Sequence, residues 1–214
     1  VSTLDMVVVR PVFIALVCLP GKDHNKKLCM EIILMRHGKP AFTGSAKVTS
    51  REMSNWIAEY DLSDTGEDIP PESSNALAFS ASRIISSPLP RALSSLKALG
   101  LEPDVIDEVF READLPVFHM PGFRLSPSVW AAFFRVMWLC GISHNAERVK
   151  IAKKRAVQAT NILIAFAKRS DGSVLLMGHG VMNRLIAREL RSLGFKKYCC
   201  QGNGYWNASI YRLQ

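Results

Sequence analysis

The sequence predicts an α/β fold, a three-layer α/β/α sandwich around a mostly parallel central sheet. Three observations predict it. Short apolar runs of buried-strand type recur along the chain and alternate with longer stretches of helical period. Glycine or proline stands at the turns between them, as in 86-SSPLP-90 and 178-GHG-180. One long stretch, 146–169, sets Val149, Ala152, Ala156, Ala159, Leu163 and Phe166 at spacings of three and four, a single apolar stripe suited to covering a sheet.

The elements follow in order. Residues 31–35 form the first strand. The RIIS run, Arg83–Ser86, forms the second, and Pro88 breaks the chain before a helix over 89–99. A third strand is expected over 105–110. Two helices come next, Pro127–Leu139 and 146–169. The fourth strand covers 173–177, and Gly178 leads into a helix over 181–193. Gly194 is a suitable stop for that helix, because glycine adopts the left-handed conformation that ends helices. Residues 205–213 alternate well enough for a last strand.

Residues 1–29 read differently. Their apolar part is broken by Arg10 and Pro11, and its uninterrupted core, 12–19, is too short to span a bilayer. Met30 opens a strand pattern at once, so the functional domain is expected over 30–214. Residues 1–29 are then an extension, from an upstream start or a degenerate export signal. Of the 214 residues, 48% are hydrophobic and 21% charged, which excludes a disordered or coiled-coil chain. Net charge is +8, an attraction for anions of several kinds. The positives are scattered, and the densest run, Lys150 to Arg155, reads as the solvated side of a helix. No nucleic-acid partner and no stable membrane insertion are expected. Five cysteines lack any C-x-x-C pair, which fits reduced thiols and a cytoplasmic setting better than a disulfide framework or a zinc site.

The chemistry gathers at strand ends. Arg36-His37-Gly38 follows the first strand, Arg91 the second, Glu112 the third and His179 the fourth. In an open α/β sheet that is the carboxyl edge, where ligands bind. Two arginines, two histidines and a carboxylate suit a phosphoryl group. Guanidinium forks match phosphate oxygens, and helix N-termini add N–H donors. A neutral histidine can attack phosphorus, and a carboxylic acid can protonate the departing alkoxide. Each residue has a plain structural reading when taken singly, and Glu108 is a rival to Glu112. Order and placement together make the case. No metal-ligand spacing joins these residues, and two arginines at one spot repel a dication, so neither metal nor cofactor is expected.

With these residues in view, the sequence resembles the histidine phosphatase superfamily, also called phosphoglycerate mutase-like. The RHG after an initial strand, the SSPLPRA segment, the carboxylate after the third strand and the late GHG carry the resemblance. It extends from Glu31 to about Leu193. It implies that His37 is the nucleophile that becomes phosphohistidine. Arg36, Arg91 and His179 would hold the phosphoryl oxygens, and Glu112 would act as general acid and then base. The implied activity is metal-independent hydrolysis of a phosphomonoester, on a small organic phosphate or, as second choice, a phosphoprotein. A phosphoglycerate-type mutase and an inactive phosphate-binding relative are the alternatives.

The sequence also departs from the mutase pattern. That branch carries a hydroxyl residue two positions after the RHG and an asparagine three later, where this chain has Pro40 and Thr43. Pro40 has no side-chain donor, and Thr43 offers only a hydroxyl as a substrate contact. Residues 116–142 are expected to be a substrate-shaping helical insertion. Trp130, Phe134 and Trp138 share one face of its helix, either as core or as an aromatic lid, with Arg124 or His119 reaching the substrate.

Overall fold

Alternation along β1 (Met30–Arg36) decides the layers of the molecule. In the computed structural model, which describes residues 30–42, 44–169 and 172–213, β1 lies inside a six-stranded sheet. Ile32 and Leu34 point to one face, and Ile33 and Met35 to the other. The same division holds along β6 (Ser173–Gly178), with Val174 and Leu176 on the first face and Leu175 and Met177 on the second. Both strands are apolar on both sides because helices cover both sides.

The strand order is β4-β3-β6-β1-β8-β7. β4 (Val105–Ile106), β3 (Arg83–Ser86), β6 and β1 are mutually parallel, and Arg36 pairs with Gly178 in the register. β8 (Ala208–Leu213) and β7 (Lys196–Cys200) complete the sheet antiparallel. On the first face lie α5 (Val149–Arg169) and α6 (Gly180–Ser192), which bury Ala156, Leu163, Met182 and Ile186. On the second lie α2 (Glu72–Phe79) and α3 (Pro90–Ala98), which bury Ala78, Ala92 and Leu96. Gly194 ends α6 with φ +91°, as its position predicts.

A smaller unit stands beside the sheet. α1 (Glu52–Leu62) and α4 (Pro127–Leu139) enclose a core of Met53, Trp130 and Phe134. A two-stranded ribbon, β2 (Val48–Thr49) against β5 (Arg124–Leu125), ties the two segments together. Trp130, Phe134 and Trp138 are fully buried, so the shared face of α4 is core and not a lid.

Three expectations need correcting. The third strand stops at Ile106, because the Asp107 carboxylate accepts from Val109 N–H and starts a 3-10 turn, Glu108–Phe110, that buries Phe110. The last strand begins at Ala208 rather than 205, since Trp206 takes φ +62° in a turn. The long helix is formed from Val149, after a turn in which Asn145 has φ +52°. Four elements carry no clear period. α1 buries only Met53, and α2 only Ser74 and Ala78. β7 is an edge strand with every residue exposed, and β2 is two residues long. Cys140, Cys199 and Cys200 are free thiols. No helix among the described residues is long and apolar enough to cross a membrane. Residues 1–29, and with them the expected extension, lie outside the described residues.

Because Phe134 is wholly buried between α1 and α4, Phe134→Ala is expected to cost about 3–5 kcal/mol. Val136→Ala, on the exposed side of the same helix, should stay within about 0.5 kcal/mol. Denaturant unfolding of both variants measures the contrast.

Candidate active site

β1, β6 and β3 run parallel, so the residues that leave their carboxyl ends meet at one edge of the sheet. His37 leaves β1, Ser87 leaves β3 and His179 leaves β6 directly into α6. The His37 and His179 rings stand 5.0 Å apart between centroids. Both are buried, at 2% and 0% exposure.

The proton positions follow from the partners. His37 Nδ1 lies 2.7 Å from the Gly38 carbonyl oxygen, which only accepts, so Nδ1 carries the hydrogen. Nε2 keeps its lone pair and is the ring nitrogen left for the cavity that His37 lines. Burial, then His179 and Arg91, hold the His37 imidazole well below its ordinary 6.5. It is therefore neutral at neutral pH. His179 is likewise held well below 6.5, by burial first and then by Arg91 and Arg36. Its Nε2 lies 2.7 Å from Ser87 Oγ. Ser87 Oγ accepts from Leu89 N–H, so its own hydrogen is available for His179 Nε2. With Ser87 donating to Nε2, the imidazole hydrogen sits on Nδ1, a buried atom with no protein partner.

Two guanidiniums share the position. Arg36 donates Nη1 to the Asn203 carbonyl at 2.8 Å and lies over the Tyr205 ring at 4.3 Å. Arg91, on the first turn of α3, pairs with Asp61 at 3.0 Å and lies 4.8 Å from the Tyr60 ring centroid. Each keeps a buried Nε–H without a partner. Arg36 Nε, Arg91 Nε and His179 Nδ1 are thus three buried donors with no acceptor, an arrangement that calls for an anion.

The RHG segment is fixed from behind. Trp206 N–H donates to the Arg36 carbonyl at 3.1 Å, and its indole N–H to Asp68 at 2.6 Å. A Cβ at Gly38 would fall 2.4 Å from the Trp206 ring, which is why only glycine fits there. Glu112 lies on the same cavity. Its Oε1 accepts from Met182 N–H and Ala113 N–H, and its Oε2 from Val181 N–H, so it binds the first turn of α6. Its segment is clasped by Arg155, which donates to the carbonyls of Val109, Arg111 and Glu112 and pairs with Glu147 at 2.6 Å.

The cavity, about 610 Å³, brings together Arg36, His37, Arg91 and Glu112. His179 is packed behind them, against His37. Arg124 does not join them. It lies on β5, donates to the Lys47 carbonyl at 3.0 Å and faces Glu52 at 3.6 Å, away from the cavity lining. His119 is also absent from the lining, and Thr43 lies outside the described residues. Sequence reasoning missed Trp56, Tyr60, Tyr205 and Arg155. Trp56 and Tyr60 carried a signal, an aromatic pair at i and i+4. Tyr205 and Arg155 carried none, since each is brought to the site from a distant element. Among the described residues, no group of three or more His, Cys, Asp or Glu side chains is arranged to hold a metal ion.

Two buried neutral imidazoles also couple stability to pH. The unfolded chain takes up their protons near pH 6.5 while the folded chain does not, so stability falls as pH drops below 6.5. Urea midpoints at pH 7 and pH 5 should show this loss. The loss should be smaller in His37→Gln, which removes one of the two groups.

The profile of the histidine phosphatase superfamily (branch 1) matches residues 32–214. No curated protein matches the chain. Among solved structures, a phosphoglycerate mutase from Bacillus anthracis is 18% identical, with TM-score 0.54 over 87% of this chain and 88% of that one. A phosphoserine phosphatase from Entamoeba histolytica, in complex with 3-phosphoglyceric acid, is 16% identical, with TM-score 0.51 over 85% and 89%. The product of a Mycobacterium tuberculosis open reading frame is 17% identical, with TM-score 0.53 over 75% and 79%. At such identities the likeness is one of fold. The superfamily profile reaches further, for it begins inside β1 and takes in every strand of the central sheet, and the chain belongs to the histidine phosphatase superfamily.

Proposed function

We propose that this chain hydrolyses a phosphomonoester through a phosphohistidine at His37, without a metal ion. One observation carries the reading. A neutral imidazole presents a bare Nε2 beside three buried donors that have no acceptor, Arg36 Nε, Arg91 Nε and His179 Nδ1. A phosphoryl group fits that set, with its oxygens on the donors and its phosphorus before Nε2. The two guanidiniums supply the positive charge that a metal otherwise supplies in phosphoryl transfer.

The chemistry balances with these residues. His37 Nε2 attacks phosphorus, the P–N bond forms and the P–O ester bond breaks. Glu112 gives its proton to the leaving alkoxide, which departs as the alcohol. Oε2 accepts a single N–H, so it keeps a lone-pair position for that proton. A water then enters, Glu112 takes its proton, the hydroxide attacks phosphorus and the P–N bond breaks. Phosphate leaves and His37 is restored. Arg36, Arg91 and His179 hold the equatorial oxygens in both steps. A phosphoprotein is the second choice of substrate. A mutase would return the phosphoryl group to substrate instead of to water, and stimulation by a bisphosphate primer would reveal it. Pro40 lines the cavity and brings no side-chain donor to it.

Hydrolysis of an aryl phosphate by the full chain is expected to persist with chelator present. His37→Ala should lower it by at least ~10³-fold. Turnover abolished by chelator, or kept in the variant, would refute the reading. The depressed pKa of His37 sets the acid limb. His37 stays unprotonated through the ordinary histidine range, so the rate of phosphoenzyme formation should fall only well below pH 6.5. Rapid-quench rates across pH, with substrate ionisation accounted for, measure it, and a limb at 6.5 would overturn this assignment.

A further inference from the structure

The cavity continues well past the place a phosphoryl group would occupy, and the character of that outer part is aromatic. Trp56 and Tyr60 stand one turn apart on α1 and stack at 5.1 Å between centroids, 15° from parallel. Phe42 meets Trp56 at 5.6 Å. Tyr60 and Tyr205 both line the cavity, and the Tyr205 ring lies 5.6 Å from His37. One run of rings therefore leads from the nucleophile outward. The indole nitrogen is engaged with protein, for Trp56 Nε1 donates to the Gly44 carbonyl at 2.9 Å. What Trp56 and Phe42 offer the cavity is carbon surface.

The charges beyond the phosphoryl end point the same way. Arg111 is paired with Asp114 at 3.1 Å and faces Glu108 at 3.8 Å. Arg135 donates to the carbonyls of Asp114 and Ala113. Lys39 is an exposed ammonium at the rim, where pairing in water contributes little. A short alcohol bearing a carboxylate would compete with Asp114 for Arg111 and with two backbone carbonyls for Arg135. A flat apolar group finds a stacking surface.

We infer that the alcohol part of the substrate is a planar aromatic or heteroaromatic group that stacks on Trp56 while its phosphate sits at His37. The inference rests on the phosphatase reading for the orientation of the ligand, and binding tests it separately from turnover.

The experiment is calorimetric titration of the full chain with two phosphonates that cannot be hydrolysed, 1-naphthylmethylphosphonate and 3-phosphonopropionate. The naphthyl compound is expected to bind about tenfold tighter. Trp56→Leu should remove most of that preference and leave 3-phosphonopropionate within about twofold, while Trp56→Phe should keep most of it. Equal affinities in the wild type, tighter binding of the carboxylated phosphonate, or no binding of either overturns the inference. A preference untouched by Trp56→Leu overturns it as well. The wild-type comparison stands even if the leucine variant fails to fold. Should the naphthyl preference hold while no aryl phosphate is turned over, the phosphatase reading fails and the aromatic site remains.

Discussion

The hydrogen bond from His37 Nδ1–H to the Gly38 carbonyl is the constraint on which the rest of the site depends. It sets the tautomer, and the tautomer decides which nitrogen can attack. The bond holds only while the Gly38 peptide is immobile, and several elements immobilise it. Gly38 N–H donates to Ser95 Oγ at 2.8 Å, and Ser95 Oγ donates to the Arg91 carbonyl at 2.6 Å. The loop that carries the nucleophile is thus tied to the helix that carries the second arginine. Lys39 N–H and the Trp206 indole N–H both donate to Asp68 Oδ2. Trp206 pays for its place with φ +62°, a conformation a bulky residue keeps only where its surroundings hold it.

Charge is arranged with the same economy. Two buried histidines beside two arginines would repel one another if protonated, and burial adds to the effect. Neutral imidazoles follow, one available as a nucleophile and one as a hydrogen-bond donor. Tyr60 stays a neutral phenol beside Arg91. Burial, then Tyr205, pushes its phenol above the ordinary range. Asp61, half-exposed, pairs with an Nη1 of Arg91 and leaves Nε to face inward.

What was legible in the sequence was what lies at the ends of strongly apolar strands. Met30–Arg36, Arg83–Ser86 and Ser173–Gly178 are buried on both faces, so their apolar runs mark the sheet and the residues after them mark its carboxyl edge. Arg36, His37, Arg91 and His179 are read from there. α1 and α2 were not legible, because they bury one and two residues and leave no stripe. With α1 went Trp56 and Tyr60, which line the cavity; Trp56 also packs, partly buried, against the core of Met53, Trp130 and Phe134. Arg124 shows the opposite error. A cation near an aromatic helix reads as a substrate contact, but ribbon pairing with Thr49 turns it toward Lys47 and Glu52.

Glu112 joins the two halves of the proposed chemistry. His179 is the residue immediately before α6, and Glu112 accepts from the N–H groups of Val181 and Met182 in that helix's first turn. The carboxylate that would move the proton and the imidazole that would hold the phosphoryl oxygen are therefore indexed to one helix end. Arg155 completes the frame from α5. It grips the Glu112 segment by three carbonyls and is itself held by Glu147, with both side chains largely buried. Glu112 thus bridges two helices, held by Arg155 of α5 at its backbone and by the first turn of α6 at its carboxylate.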